Sequence, residues 1–520
     1  MTSSNGTADA GVFAVNPPAR ELLTAARAEE LVLAPAQAAV AAAAASGTPI
    51  HTARLGGLSF GADAAPVGAA ALAALTAAGT LTTVDVADTI AARPEAEALA
   101  ALAVLVAPLA GLESLRSLDV SDNALGAKGI RSLRAALSGT AGRLTNVAFQ
   151  NNGLAADAGA LITDFLTLPD GREEGSAAAT ATTKAGEEPS TGGRVSALTE
   201  LRIHNNLLED AGMVSLAPLI AASPRLATLR LSSLRVGARG MACVADALAG
   251  AVAAGGGGVA GGPGHSRLRV LDLSDNTVGA AGAAALAEGV LAVAPRLGVL
   301  NLRDTSLGDL GARRVLAALT AAQELRKEVS TDADGEDGDG DKGAAVPGVA
   351  GLTQLDLSGN ELSPEGARWV AKFLRAAGAT LTTLLLDDNE LTSAGALKVA
   401  RALTPDTTPV LASVSMTGNG VGGRGAVALA TAAAALPAVA AVGLNENAIA
   451  EQSLARVREL LSEDVLGDMS DNEEDEDEDE EEEEGEDEGD EDAGDEGTDE
   501  EVDALTERLA RRVRLGTFDR

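Results

Sequence analysis

Short apolar-polar alternations recur along this chain, and each is followed by a longer stretch whose apolar residues repeat at helical spacing. The pattern is L-x-x-L-x-L-x-x-N, then a Gly, then an Ala/Leu-rich run. Its clearest copies are LRSLDVSDNALG from Leu115, LTELRIHNNLL from Leu198, LRVLDLSDNTVG from Leu268, LTQLDLSGNELS from Leu352 and LTTLLLDDNELT from Leu381. Weaker copies start at Leu81, Leu144, Leu226, Leu297, Leu411 and Val439, and a degenerate first unit begins near Ile50. The L-x-L core predicts a short strand with its leucines turned inward. The stretch after it, such as Ile130–Leu137, predicts a helix.

Adjacent copies such as Leu115 and Leu144 lie 29 residues apart, at the long end of the leucine-rich-repeat range. No such unit buries its apolar face alone, so stacking must supply the core. The expected fold is α/β: a leucine-rich-repeat solenoid of ribonuclease-inhibitor type. It would have about 11 or 12 repeats, with parallel strands on the concave face and helices outside. Three longer spacings carry insertions, at about 169–197, 249–266 and 327–351, whose polar, Gly-rich or Asp-rich composition reads as loop. Each follows a helix and precedes a strand, so it should emerge on the edge opposite the strand-to-helix loops. The expected organisation is a disordered N-terminus at 1–19, repeats over 20–463, an acidic disordered tail at 464–501 and a short basic amphipathic helix at 502–520.

Composition narrows the function. Aromatic residues make up 1% of the chain, so Ala, Leu and Val must fill a thin core. Cys243 is the only cysteine, which excludes an intrachain disulfide and points to a reducing compartment. The net charge is −37, and 24 of the 76 acidic residues fall between Asp471 and Glu501. So acidic a chain repels nucleic acid. The Ala-rich stretch Ala34–Ala45 is too short to span a bilayer and lacks a basic leader, so no membrane insertion or secretory signal is expected. No G-x-x-x-x-G-K-[ST] motif occurs, and His51, His204 and His265 are scattered. The expectation is a monomer with no cofactor, no metal and no catalytic chemistry of its own. The DGEDGDGD stretch, Asp334–Asp341, lacks the spacing of a calcium loop and reads as insertion.

The register separates two classes of asparagine. Asn123, Asn152, Asn206, Asn276, Asn360, Asn389, Asn419 and Asn447 close the motif and should form a buried turn ladder. The residue before each sits at the rim: Asp122, Asn151, Asn205, Asp275, Asp388 and Glu446, with Ser233 and Asp304 in units lacking the Asn, and Gly359 and Gly418. That rim is polar and net acidic, either a solvated edge or a docking strip for a basic partner. His204 lies beside Asn205 on the strand. Arg93 precedes Pro94, Glu95 and Glu97, which read as the first turn of a helix. Its backbone is therefore pushed out of the helical region, and the side chain should project from a strand-to-helix loop.

At these residues the sequence resembles the Ran GTPase-activating proteins, the plant branch most closely. Four segments carry the resemblance: LSFGADAA from Leu58, ARPEAEAL from Ala92, LDVSDNALGAKGIRSL from Leu118 and LRIHNNLLEDAG from Leu201, together with repeats followed by an acidic tail. The resemblance implies an activator acting in trans on a Ran-type small GTPase in its GTP-bound form, in support of nucleocytoplasmic transport. It implies a cytoplasmic or perinuclear location. Asn205 would orient the partner's catalytic glutamine, and through it the attacking water. Arg93 matches the family's required arginine, as an inserted finger or as support for docking. Asp122, Asn151, His204, Asp275 and Asp304 would contact the partner. The sequence departs from the family in two places. Ala92 stands where the family has Gly, and the plant Trp-Pro-Pro targeting signature is absent, Trp369 being the only tryptophan. The alternative is a non-catalytic binding scaffold of the same fold.

Overall fold

The L-x-L core of each repeat folds as a three-residue strand whose central apolar residue is buried, as at Val84, Leu118, Leu201, Leu271, Leu355 and Val414. The computed structural model describes residues 11–169, 194–254, 267–291, 294, 296–332 and 351–472. The chain divides into two units, Met1–Leu234 and Arg235–Arg520. In the first, seven parallel strands pair in chain order: Val12–Ala14, Thr52–Arg54, Thr83–Asp85, Ser117–Asp119, Asn146–Ala148, Glu200–Arg202 and Thr228–Arg230. In the second, six do the same: Val270–Asp272, Val299–Asn301, Gln354–Asp356, Thr383–Leu385, Ser413–Ser415 and Ala441–Gly443. A helix follows nearly every strand and packs on the helices of neighbouring repeats. Parallel neighbours require this return through a second layer.

Helix starts follow the local chemistry. Helix Pro364–Ala377 has Pro at its first position and Glu365 in its first turn, and the Ser363 hydroxyl accepts from the Glu365 amide at 3.1 Å. Asp309, one repeat earlier, accepts from the Ser363 amide at 3.0 Å and so ties successive repeats together.

The boundaries differ from the sequence expectation in five places. Order begins before residue 20: Val12–Ala14 pairs with Thr52–Arg54, and Phe13 is buried, which adds a strand to the 11 or 12 repeats expected. The repeats continue past residue 463, because Leu466 and Met469 bury their side chains and Asn472 bonds back to the last turn. Helices Ala238–Ala254 and Gly308–Asp332 run into the segments read as insertions. Their Ala, Leu, Glu and Lys content favours helix over loop. The insertion near 169 opens with an antiparallel pair, Leu168–Pro169 against Arg194–Val195. The acidic run beyond 472 and the helix expected at 502–520 lie outside the described residues.

Two features of the first unit were not anticipated. Strands Glu21–Leu23 and Leu58–Phe60 form a second, two-stranded parallel sheet beside the main one. The helical run Ala25–Ser46 is also longer than its Ala-rich core. At 22 residues it is long and apolar enough to cross a membrane by length and composition, which corrects the estimate made from Ala34–Ala45. A core helix of a soluble protein and a signal sequence share that length and composition. Here Ala28, Val32 and Ala36 of the run are buried in the unit.

Candidate functional site

The strand-to-helix edge is shaped by one backbone conformation. Asp88, Asp122, Asn151, Asn205 and Ser233 in the first unit have φ between 50° and 60°. Asp275, Asp304, Gly359, Asp388, Gly418 and Glu446 in the second have φ between 52° and 65°. This is the left-handed region, open to glycine and tolerated by Asn and Asp. The residue types read from sequence as a rim thus have a backbone reason as well as a chemical one.

That conformation throws each side chain outward while the next residue turns in. The inward set forms the ladder. The Asn206 Oδ1 accepts from the Asn152 amide and the Leu154 amide, each at 3.0 Å, and its Nδ2 donates to the carbonyls of Phe149 and His204. Asn152 does the same for the Asn123 amide, and Asn123 for Thr89 and Ile90. In the second unit Asn276 holds the Val236 amide, Asn360 the Thr305 and Leu307 amides, and Asn389 the Asn360 and Leu362 amides. Asn419 and Asn447 continue the column. All eight are buried. Thr89 and Thr305, also buried, take the position in repeats that lack the asparagine.

The outward set forms a second, exposed chain of hydrogen bonds in the first unit. The Asn205 Nδ2 donates to the Asn151 Oδ1 at 3.1 Å, and the Asn151 Nδ2 donates to the Asp122 Oδ1 at 2.8 Å. Asn205 and Asn151 are exposed, and His204 is half-buried with its carbonyl accepting from the Asn151 amide. Behind Asp122 stands Asp85, whose carboxyl is pushed above the usual range. Burial is the main cause, with Asp119 and Asp122 adding repulsion against the favourable Ala87 amide and Arg54. Asp275 and Asp304 belong to the second unit, where Arg303 pairs with both Asp304 and Asp388 at 3.0 Å.

Arg93 does not project. Its Nη2 donates to the carbonyls of Leu23 and Ser59, each at 2.9 Å, and its Nη1 lies 3.6 Å from the Glu97 carboxylate. The side chain is 17% exposed. A guanidinium with five donors settles where carbonyls converge, and the two-stranded sheet supplies them. The loop of Arg93 lies three strand spacings from that of Asn205, roughly 15 Å at the usual interstrand distance. The guanidinium turns toward the preceding repeats, so the structure does not bring the two residues together. Ala92 adopts φ 61°, the conformation that a glycine there would take freely.

Sequence reasoning missed the end of the array. Asp471 and Asn472 repeat the rim-and-ladder pair: Asn472 accepts from the Asn447 amide at 2.9 Å, and Asp471 bonds Asn445. The signal was present as DMSDN, residues 468–472, at the margin of the acidic run. Among the described residues no group of three or more His, Cys, Asp or Glu is placed to hold a metal ion.

Comparison with known proteins bears on the repeats. A family model described as "Leucine Rich repeat" matches residues 111–133, 266–287, 352–368 and 409–430. Ribonuclease inhibitor from Sus scrofa is 30% identical over 209 residues, 40% of this chain and 37% of that protein, so the chain spans little more than a third of this relative's length. Among solved structures, the Rad7 and Elc1 complex of yeast aligns with 75% of this chain and 74% of its own at 12% identity, with a TM-score of 0.41. An internalin from Listeria monocytogenes aligns over 78% of each chain at 12% identity, with a TM-score of 0.37. Repeat matches, strand register and asparagine ladder agree on the architecture: a leucine-rich-repeat fold, similar in sequence to ribonuclease inhibitor over part of its length.

Proposed function

We propose that this chain activates a Ran-type small GTPase in trans, docking on the GTP-bound form through the strand-to-helix rim of its first unit. One observation carries the reading: Asn205 presents an exposed amide at the rim while its neighbour Asn206 holds the turn from inside. A carboxamide so placed can both donate to and accept from a glutamine side chain of the partner. Orienting that glutamine orients the attacking water, a gain of several kcal/mol from positioning alone. Asp122, Asn151 and His204 flank it as partner contacts. Arg93 acts as support: its bonds to Leu23 and Ser59 fasten the second sheet next to the rim. The activity belongs to the cytoplasm and to nucleocytoplasmic transport.

The test is single-turnover GTP hydrolysis by Ran with catalytic amounts of this protein. Acceleration by about 10³-fold or more is expected, the range of known activators. Because Asn205 is left-handed, Asn205→Gly deletes the amide without straining the turn, and it should cut the rate at least tenfold with the fold intact. Asn206→Ala should instead lower stability by about 1–3 kcal/mol. An unchanged hydrolysis rate with wild-type protein would leave the second reading, a binding scaffold. The homology to ribonuclease inhibitor favours that alternative.

A further inference from the structure

Three successive helices of the second unit gather cations. Helices Pro364–Ala377, Thr392–Ala402 and Gly423–Ala434 carry Arg368, Lys372, Arg375, Lys398, Arg401 and Arg424 against a single acid, Glu365. This is a basic patch on a chain of net charge −37. Lys372, Arg375, Arg401 and Arg424 are exposed. Among the described residues no ion pair holds Arg375, Arg401 or Arg424, and Lys398 donates to a backbone carbonyl, that of Pro364, at 3.1 Å. The rim of the same unit is the reverse: Asp275, Asp304, Asp388 and Glu446 line it, with Arg303 paired among them and Asp471 bonded to Asn445 beyond.

We propose that this helix face is the docking site of the chain's own acidic segment, residues 473–501. That segment holds 23 carboxylates and no Lys or Arg. Its point of departure is fixed, because Asn472 caps the ladder beneath Asn447. In the preceding repeats, the chain crosses from this position to the helix layer, as Asn419 leads to Gly423–Ala434 and Asn447 to Glu451–Leu460. The segment is therefore delivered to the helix side, with one helix, Glu451–Leu460, between its start and the basic face. Its 29 residues reach about 95 Å when extended, whereas the farthest helix of the patch, Pro364–Ala377, lies about four helix spacings of 8–10 Å away. The acidic rim repels it. Arg375 and Arg401 also sit in the last turns of their helices, where a cation complements the helix dipole. That role affects stability without requiring an occupant.

Zero-length carbodiimide coupling of Lys ammonium groups to carboxylates, read by mass spectrometry on the full chain, tests the proposal. Lys372 and Lys398 should couple to peptides from 473–501 at least fivefold more than Lys128, which stands on a first-unit helix beside Glu95. The links should vanish at about 1 M salt, where the screening length falls to about 3 Å. Arg375→Glu with Arg401→Glu should remove most of them. If that pair unfolds the chain, Arg375→Gln with Arg401→Gln should reduce them. Equal coupling to Lys128, links indifferent to these substitutions, or links joining isotopically light to heavy chains in a mixed sample would each overturn it.

Discussion

Asn205 and Asn206 differ by one backbone conformation, and that difference decides what each amide does. At φ 54° the first faces solvent, while the second bonds four backbone groups across two repeats. Register in the sequence was enough to tell inward from outward. It was not enough to show that the outward position is left-handed, so the abundance of Asn, Asp and Gly there is partly a backbone demand. Ala92 meets the same demand without the right side chain. Left-handed alanine costs about 1–2 kcal/mol relative to the ordinary helical region, so Ala92→Gly should stabilise the first unit by about 1 kcal/mol, seen as a higher denaturant midpoint with unchanged slope. A lower midpoint would mean that the Ala92 side chain makes packing contacts that outweigh the strain.

At the scale of elements, stacking depends on how closely the helices approach. Six residues after the ladder asparagine stands a glycine in several repeats: Gly212, Gly282, Gly366, Gly395 and Gly425. At Gly425 an added Cβ would stand 2.8 Å from the Ser393 Cα of the preceding helix and 2.9 Å from the Val421 Cγ1. Gly425→Leu should therefore destabilise the second unit by about 1–3 kcal/mol, the usual range for overpacking, measured by thermal unfolding. Stability equal to wild type would show that the helices separate at little cost. The repeated glycine is visible in sequence, but its purpose, close approach of backbones, is not. Helix ends were also poorly legible, since Ala238–Ala254 and Gly308–Asp332 continue into segments whose composition resembles loop.

At the scale of the molecule, an array of repeats needs an end, because its last unit has no neighbour to cover the ladder. In the second unit Leu466, Met469 and Asn472 form the last turn among the described residues. Asn472→Ala removes the acceptor of the Asn447 amide and should cost about 1 kcal/mol. The loss should appear as faster hydrogen exchange in residues 441–460 and leave the first unit unaffected. If exchange there is unchanged, the array closes at Ala441–Gly443. The acidic run masked this ending in the sequence, since its charge drew the boundary at residue 464 and hid a turn that completes the core.

The sequence by itself determined the repeat, the strand-and-helix alternation and the identity of the ladder asparagines. Burial in a stacked array is decided by residues a few positions apart and recurs with the period. Only the tertiary structure decided the fate of Arg93. The carbonyls that hold it belong to Leu23 and Ser59, 70 and 34 residues away. A second small sheet brings them together, and no local spacing encodes that convergence. A guanidinium follows its acceptors, and the folded chain places them on the side of the loop facing away from Asn205.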